Sequence, residues 1–180
     1  MPREYFLTTP RLGFSRWTES DLPLATQLWG DLDVTRYIGG PFSPEQIQKK
    51  LGQDISWMAA HGLQYWPFFL LAGDEFAGCC GLRPYKLEDQ IFELGFHLRP
   101  AFWGQGVATE AAQAAISFGF ETLGASALFA GHHPENKISP RVLAKLGFRY
   151  AHDEIYPPTS ELHPSYILER LARTGIAGGA

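Results

Sequence analysis

The sequence predicts an α/β (α+β) fold, a mixed and mostly antiparallel sheet of about seven strands flanked by helices. Strand-type and helix-type segments follow one another in the order βααβββαβαββ. An alanine-rich helical segment joins two strand-like segments near the middle, which is typical of a parallel crossover. Neither an internal repeat nor a linker divides the 180 residues. We therefore expect one domain over residues 1–173 and a flexible Gly/Ala-rich tail over residues 174–180.

The N-terminal part predicts one strand and two capped helices. Residues 11–17 alternate apolar and polar side chains, as a half-exposed strand does. Thr18 and Asp21 form a capping pair at the start of the first helix. Ser43 and Gln46 form a second capping box, with a proline at the first helical position. The second helix then carries one apolar stripe, made of Ile47, Leu51, Ile55 and Met58.

The central part predicts three strands and a long helix. Residues 63–72 and 75–82 form a hairpin of buried strands, and residues 90–98 form a further strand. The helix that follows has one face of mainly small residues, which indicates close packing on the sheet. That face contains Ala108, Ala111, Ala112, Ala115, Ile116, Gly119 and Leu123.

The C-terminal part predicts a short strand, a short helix and two closing strands. The short strand spans residues 127–131, and the helix spans residues 140–146. Gly147 occupies the position where glycine commonly ends a helix. Residues 148–155 and 165–171 are the two closing strands.

Composition and charge argue against several classes of protein. The chain is 45% hydrophobic and 19% charged, which is typical of a globular domain, and its net charge of −4 does not suit a protein that coats nucleic acid. Cys79 and Cys80 are adjacent, so on a strand they point to opposite faces and form neither a disulfide nor a metal site. No signal-peptide core or membrane-length apolar run is present. We expect a soluble cytoplasmic protein without a nucleic-acid, membrane or metal partner.

Two glycines, Gly104 and Gly106, lie between a strand and a helix. The backbone amides of such a turn can bind an anion at the helix N-terminus. A nucleoside-triphosphate loop would need a lysine after Gly106, and a dinucleotide fingerprint would need a glycine where Thr109 stands. Two alternatives remain: a site for a diphosphate, or a tight turn that binds nothing.

Four segments resemble the GNAT N-acetyltransferase superfamily, and within it the branch that acetylates protein N-termini, including those of ribosomal proteins. They are TPRLGFSRW at residues 9–17, DVTRYIGGPFSPEQ at 33–46, ELGFHLRPAFWGQGVATEA at 93–111 and HPENKISPRVLAKLGF at 133–148. The family motif Gln/Arg-x-x-Gly-x-Gly/Ala matches Trp103 to Ala108, with tryptophan in place of the first Gln or Arg.

The resemblance implies that the anion is the pyrophosphate of acetyl-CoA, held by the loop amides. The backbone of Leu98 would pair with the pantetheine arm, and an amide near Phe96 or His97 would polarise the thioester carbonyl. Asn136 would contact the cofactor arm. The residues implied to bind acetyl-CoA are Phe96, His97, Leu98, Trp103, Gly104, Gln105, Gly106, Val107, Ala108, Thr109, Asn136 and Ser139.

Direct attack by an amine needs a base for the amine and an acid for the leaving thiolate. Glu93 is the candidate base by resemblance; the alternative is a charged side chain on the exposed face of a strand. His97 shares its face of the strand with Glu93 and is another candidate proton acceptor. In many relatives a Tyr seven residues after the Asn supplies the acid, but Leu143 stands there. In the N-terminal-acetylating branch Ser139 would serve instead, unless it only caps the helix before Pro140.

The acceptor is less well specified. Arg36 and Tyr37 match the motif that borders the acceptor site, and Trp29, Trp57 and Trp66 are further candidates. The resemblance implies a primary amine, either a small molecule or a protein N-terminus. One alternative is a non-catalytic acyl-CoA-binding sensor, and the missing tyrosine motivates it. Another is a chain that binds no cofactor. The sequence leaves the oligomeric state open, with a homodimer as one alternative.

Overall fold

The computed structural model describes residues 3–170, which form one open sheet with helices on both faces. The predicted tail and residue 171 of the predicted last strand lie outside the described residues. The strands are β1 (Leu7–Thr8), β2 (Leu12–Phe14), β3 (Gln64–Leu70), β4 (Glu75–Lys86), β5 (Ile91–Leu98), β6 (Ala127–Gly131), β7 (Arg149–Tyr156) and β8 (Glu161–Glu169). The helices are α1 (Leu22–Trp29), α2 (Leu32–Thr35), α3 (Pro44–His61), α4 (Val107–Glu121) and α5 (Ser139–Lys145).

The predicted fold class is confirmed, and the sheet has eight strands rather than about seven. Their spatial order is β1-β2-β3-β4-β5-β6-β8-β7. The additional strand, β1, has two residues and pairs with β2. Such a short strand shows no periodicity in the sequence, and neither does α2, which has four residues.

Both predicted helix starts are confirmed. The capping pair of Thr18 and Asp21 is present at a single 3-10 turn that leads into α1. Ser43 Oγ accepts a hydrogen bond from the Gln46 amide at 3.3 Å, and Gln46 Oε1 accepts one from the Ser43 amide at 2.8 Å. Reciprocal bonds of this kind satisfy amides that a helix start otherwise leaves without partners.

The sheet opens at its centre. β5 and β6 are parallel neighbours joined by α4, and they pair only from Ile91 to Glu93 on β5 and from Ala127 to Phe129 on β6. Every other strand pair is antiparallel. Beyond Glu93 the two central strands diverge, so the sheet contains a V-shaped cleft at their carboxyl ends.

The sheet separates two hydrophobic clusters. The larger one packs α4 onto the sheet through small residues such as Ala111 and Ala115. The smaller one lies on the opposite face, under α1 and α3, and includes Trp29 and Tyr65. Cys79 and Cys80 are free and buried, one in each cluster, as their adjacency on a strand requires. No helix within residues 3–170 has the length and apolar character needed to cross a membrane.

Candidate active site

The cleft between β5 and β6 contains a cavity of about 900 Å³. Its walls come from the diverging halves of both strands, the glycine loop before α4, the start of α5 and the segment after α2. A cavity of this size is typical of a site for a small molecule or cofactor. The predicted site residues come from distant parts of the sequence, and all of them except Gln105 of the loop line this one cavity. They are the other loop residues, Asn136, Ser139, Glu93, His97, Arg36 and Tyr37.

The glycine loop has the backbone of an anion-binding turn. Gly104 and Gly106 both have φ of +73°, a left-handed conformation that favours glycine, and Gly106 directly precedes α4. Within residues 3–170, the amides of residues 104–106 have no hydrogen-bond acceptor. The amides at the start of α4 add the unpaired donors of a helix N-terminus.

An ion pair that we did not predict connects this loop to the N-terminal segment of the chain. Arg11 donates to the carbonyl of Gln105 at 3.0 Å and pairs with Glu110 in the first turn of α4 at 2.6 Å. Thr9 also donates to Glu110 at 2.6 Å. Burial acts to raise the pKa of Glu110, but these hydrogen bonds outweigh it and lower the pKa. Arg11 therefore neutralises a carboxylate that would otherwise repel an anion at this helix end.

Trp103 stands where the family motif usually has Gln or Arg, and its side chain is about half exposed (49%). Its indole nitrogen donates to the carbonyl of Leu98 at 3.0 Å. One acceptor position of that carbonyl is therefore occupied, and a second lone pair remains for another partner. Trp103 thus connects the end of β5 to the loop.

Glu93 lies at the vertex of the cleft, where it is half-buried and lines the cavity. Its Oε1 accepts a hydrogen bond from the Tyr65 hydroxyl at 3.2 Å. Burial raises the pKa of Glu93, while Arg83, Tyr65 and Lys50 partly oppose that rise. Raising a carboxylate pKa brings it closer to the operating range of a general base.

The surroundings of Glu93 include a buried ion pair that sequence reasoning missed. Asp54 on α3 is fully buried and binds Arg83 of β4 through three hydrogen bonds of 2.9–3.2 Å. The Arg83 guanidinium stacks on the Tyr65 ring at 3.7 Å and faces Trp57 at 5.2 Å. Because Tyr65 contacts both Arg83 and Glu93, the ion pair fixes the ring that donates to the carboxylate. Two charged residues 29 positions apart carry no local sequence signal.

His97 shares its face of β5 with Glu93, as predicted, but its environment does not suit a base. Trp29 donates its indole hydrogen to His97 Nδ1 at 3.1 Å, so Nδ1 carries no proton and is already in use. Burial, together with Lys50 and Arg83, lowers the pKa of His97 well below its usual range. His97 is a neutral side chain that lines the cleft.

The first turn of α5 shows that the capping role of Ser139 is wrong. Asn136 Oδ1 accepts hydrogen bonds from the amides of Ile138 and Ser139, both at 3.0 Å, so Asn136 caps the helix. Asn136 Nδ2 donates to Ser139 Oγ at 2.9 Å. The Ser139 hydroxyl therefore accepts from Asn136 and retains its own hydrogen for another partner in the cleft. Leu143, in the position of the missing tyrosine, is buried in the core.

The predicted acceptor-side residues separate into two groups. Arg36 and Tyr37 line the cavity, and the Tyr37 ring packs against His133 with 5.1 Å between ring centroids. Trp29 and Trp66 are fully buried core residues, so the suggestion that they line the acceptor site is wrong. Trp57 borders a smaller cavity on the other side of Arg83.

One cluster near the cleft has the composition of a metal site. Ligand-type atoms of His133, Glu161 and His163 lie within 4.8 Å of one another. However, His133 Nδ1 accepts a hydrogen bond from the Glu135 amide at 3.1 Å, so the proton of the neutral ring is on Nε2, which faces Glu161 at 2.6 Å. A nitrogen that binds a metal must be free of its proton, and this arrangement places the proton on the wrong atom.

The sequence profile of the acetyltransferase (GNAT) domain matches residues 11–149. The chain belongs to the GNAT acetyltransferase family. It is 30% identical over 145 residues to a Bacillus licheniformis protein named uncharacterized N-acetyltransferase p20, a match that covers 79% of this chain and 82% of the relative.

Solved structures show the same fold. The GNAT chain superposes with a TM-score of 0.78 on a Salmonella typhimurium acetyl transferase described as modifying the N-terminal serine of ribosomal protein L7/L12, at 16% identity over 93% of this chain and 99% of that one. It superposes with a TM-score of 0.79 on a RimL ribosomal-protein acetyltransferase in complex with coenzyme A, at 17% identity over 92% of this chain and 98% of that one.

Proposed function

We propose that this GNAT protein is an acetyl-CoA-dependent N-acetyltransferase that moves an acetyl group to a primary amine by direct attack. The observation that carries the proposal is the cleft, which brings loop amides without acceptors within residues 3–170 and a half-buried carboxylate with a raised pKa into one cavity. An anion site together with an internal base is what thioester aminolysis requires.

The cleft fits acetyl-CoA at its outer end. The loop has two left-handed glycines and amides without acceptors within residues 3–170, and Arg141 and Lys145 of α5 line the same cavity. Amides and cations of this kind match the phosphates of coenzyme A. Beyond Glu93, β5 has no partner strand on its β6 side in the part of the chain that the structure describes, so its backbone is available there to an extended chain such as the pantetheine arm. When bound, acetyl-CoA supplies the thioester.

Glu93 and Ser139 act on different groups in the reaction: Glu93 on the attacking amine and Ser139 on the leaving thiolate. Glu93 accepts the proton of the attacking amine, because it is the cavity-lining carboxylate whose pKa burial raises. Tyr65 holds the carboxylate in position through its hydroxyl. Ser139 donates a hydrogen bond that stabilises the leaving thiolate, since its hydroxyl hydrogen is not used by Asn136. The proton that the amine loses to Glu93 balances the proton that the free thiol gains.

A protein N-terminus is the acceptor class that we propose first. The support is the shared fold with an enzyme described as acting on an N-terminal serine, together with Arg36 and Tyr37 at the cavity wall. The wall between Tyr37 and His133 is aromatic and would pack against a peptide backbone or a small apolar first residue. We also propose that the acetyltransferase domain spans residues 1–173.

The experiment is free-thiol release from acetyl-CoA with peptides that begin with Ala, Ser or Thr, compared with the same peptides blocked at the N-terminus. We expect release with the free peptides only. Glu93→Gln should lower kcat/KM by about a hundredfold and leave coenzyme A affinity unchanged. Glu88→Gln, in the exposed turn before β5, is the matched control and should behave as the wild type. Binding of acetyl-CoA without stimulation by any amine would contradict the enzyme and support the sensor.

A further inference from the structure

Lys50 of α3 is a half-buried cation whose ammonium has no polar partner within residues 3–170. Its ammonium lies 5.1 Å from the Trp29 ring and 5.8 Å from the Phe42 ring. It makes neither a hydrogen bond nor an ion pair with the described residues, whereas the neighbouring Arg83 is paired with Asp54. A cation that is partly withdrawn from water normally gains an anionic or hydrogen-bonding partner, so Lys50 is available to a bound anion.

Lys50 borders two cavities. The first is the main cleft, which also contains Glu93. The second is a side cavity of about 350 Å³ between α3 and the segment that precedes it. Lys50 and Arg83 line both of them, so these two side chains lie where the two spaces are adjacent.

The side cavity has the chemistry of a site for an organic anion. Its lining has three cations, two aromatic rings and two amides, and no carboxylate: Lys49, Lys50, Arg83, Phe42, Trp57, Gln46 and Gln53. Cations attract a carboxylate, glutamine amides donate to it, and the two rings accept an apolar body.

From this arrangement we propose that the site also acetylates small primary amines that carry a carboxylate, with Lys50 binding the carboxylate while the amine faces Glu93. The inference rests on the proposed acetyl transfer and adds an acceptor class to the protein N-terminus. Charge balance during the reaction supports it. Asp54 and Glu93 are the two carboxylates that act on both Lys50 and Arg83. When Glu93 takes the proton of the amine it loses its negative charge, and one of these two negative charges is lost. A substrate carboxylate at Lys50 restores the balance at that step.

The test compares amines that differ only in the anionic group. The probes are ω-aminocarboxylates from 3-aminopropanoate to 6-aminohexanoate and 4-(aminomethyl)benzoate, each paired with its primary carboxamide. Thiol release from acetyl-CoA gives kcat and KM for every pair. We expect kcat/KM for at least one carboxylate to exceed that of its carboxamide by about tenfold, the effect of one charge-assisted hydrogen bond.

Lys50→Met keeps the apolar stem and removes the charge. It should reduce kcat/KM for the carboxylate by about tenfold more than for the carboxamide, mainly through KM. Any change in kcat/KM that comes from Glu93, whose pKa Lys50 helps to lower, is shared by both substrates. Lys50→Arg should retain most of the carboxylate preference. Lys86→Met, at an exposed lysine outside both cavities, is the matched control and should change neither substrate. Melting temperatures with and without coenzyme A establish that each variant is folded.

Two results would overturn the inference and leave the proposed function intact. One is equal kcat/KM for every carboxylate and its carboxamide in a wild-type protein that acetylates amines. The other is an equal loss for both members of a pair in Lys50→Met, which would identify a structural role. Absence of turnover with all of these amines and with the peptides, in protein that binds acetyl-CoA, would instead overturn the proposed function and this inference with it.

Discussion

Replacing Lys50 by methionine should stabilise the protein. Burial, followed by repulsion from Arg83, lowers the pKa of Lys50 from 10.5 to about 8. The unfolded chain therefore binds more protons than the native chain between about pH 8 and pH 10.5, so stability rises with pH across that window. Below pH 8 both states carry the charge, and the native state bears the whole cost of burying it.

The size of that cost follows from the pKa. A fall from 10.5 to about 8 corresponds to about 3 kcal/mol of free energy. Methionine retains the packing of the lysine stem against Trp29 and Phe42 but loses cation–π contacts worth about 1 kcal/mol. We expect Lys50→Met to unfold with a free energy about 2 kcal/mol higher than the wild type at pH 7.

Urea denaturation followed by tryptophan fluorescence at pH 7 and at about pH 10.5 measures this difference. The gain should be present at pH 7 and largely absent at the higher pH, where the wild-type lysine is uncharged. Lys86→Met, which removes an exposed charge, should change stability by less than about 0.5 kcal/mol at both values. A variant less stable than the wild type at pH 7, or a gain equal at both pH values, would refute the reasoning.

Three further substitutions test the cleft. Gly106→Asp places a side chain and a negative charge at a left-handed position of the loop and should weaken coenzyme A binding at least about tenfold by calorimetry; unchanged affinity would contradict the loop assignment. Ser139→Ala should lower kcat about tenfold with unchanged melting temperature, because Asn136 is the cap; normal kcat with a stability loss of about 1 kcal/mol would contradict it. Tyr65→Phe removes the hydrogen bond that lowers the pKa of Glu93, so the acid limb of the pH profile of kcat/KM should move to higher pH; an unmoved limb would show that another group titrates.

Elements with a strong local signal could be predicted from the sequence. The capping residues Thr18 and Ser43, the small-residue face of α4 and the two glycines of the loop each act through near neighbours in the chain, and the structure confirms them. The exact start of α5 could not be decided in this way. Asn136 and Ser139 are both good caps, and only the fold determines which side chain reaches the free amides.

The polar contacts inside the cleft could not be predicted without the tertiary structure. Tyr65 and Glu93 are 28 residues apart, on strands separated by β4, and no local pattern joins them. Arg83 and Lys50 appear in the sequence as ordinary charged residues of a strand and a helix. Their position follows from the packing of α3 on the face of the sheet that carries Glu93. Burial lowers the pKa of Lys50, whereas at Arg83 the neighbouring Asp54 and Tyr65 outweigh burial and raise the pKa.

The two faces of β5 have different roles: one packs in the hydrophobic core and the other lines the cleft. Leu94 and Leu98 point into the apolar cluster under α4, where small side chains allow close packing. Glu93 and His97 point to the opposite face. On that face the pKa of Glu93 is raised, the pKa of His97 is lowered, and Lys50 has no polar partner among the described residues. Fold stability alone would favour apolar residues in place of a half-buried lysine and a half-buried carboxylate with a raised pKa. Both groups line the same cavity as the loop amides, and the ligand-binding roles that we propose for them would account for the free energy that they cost the fold.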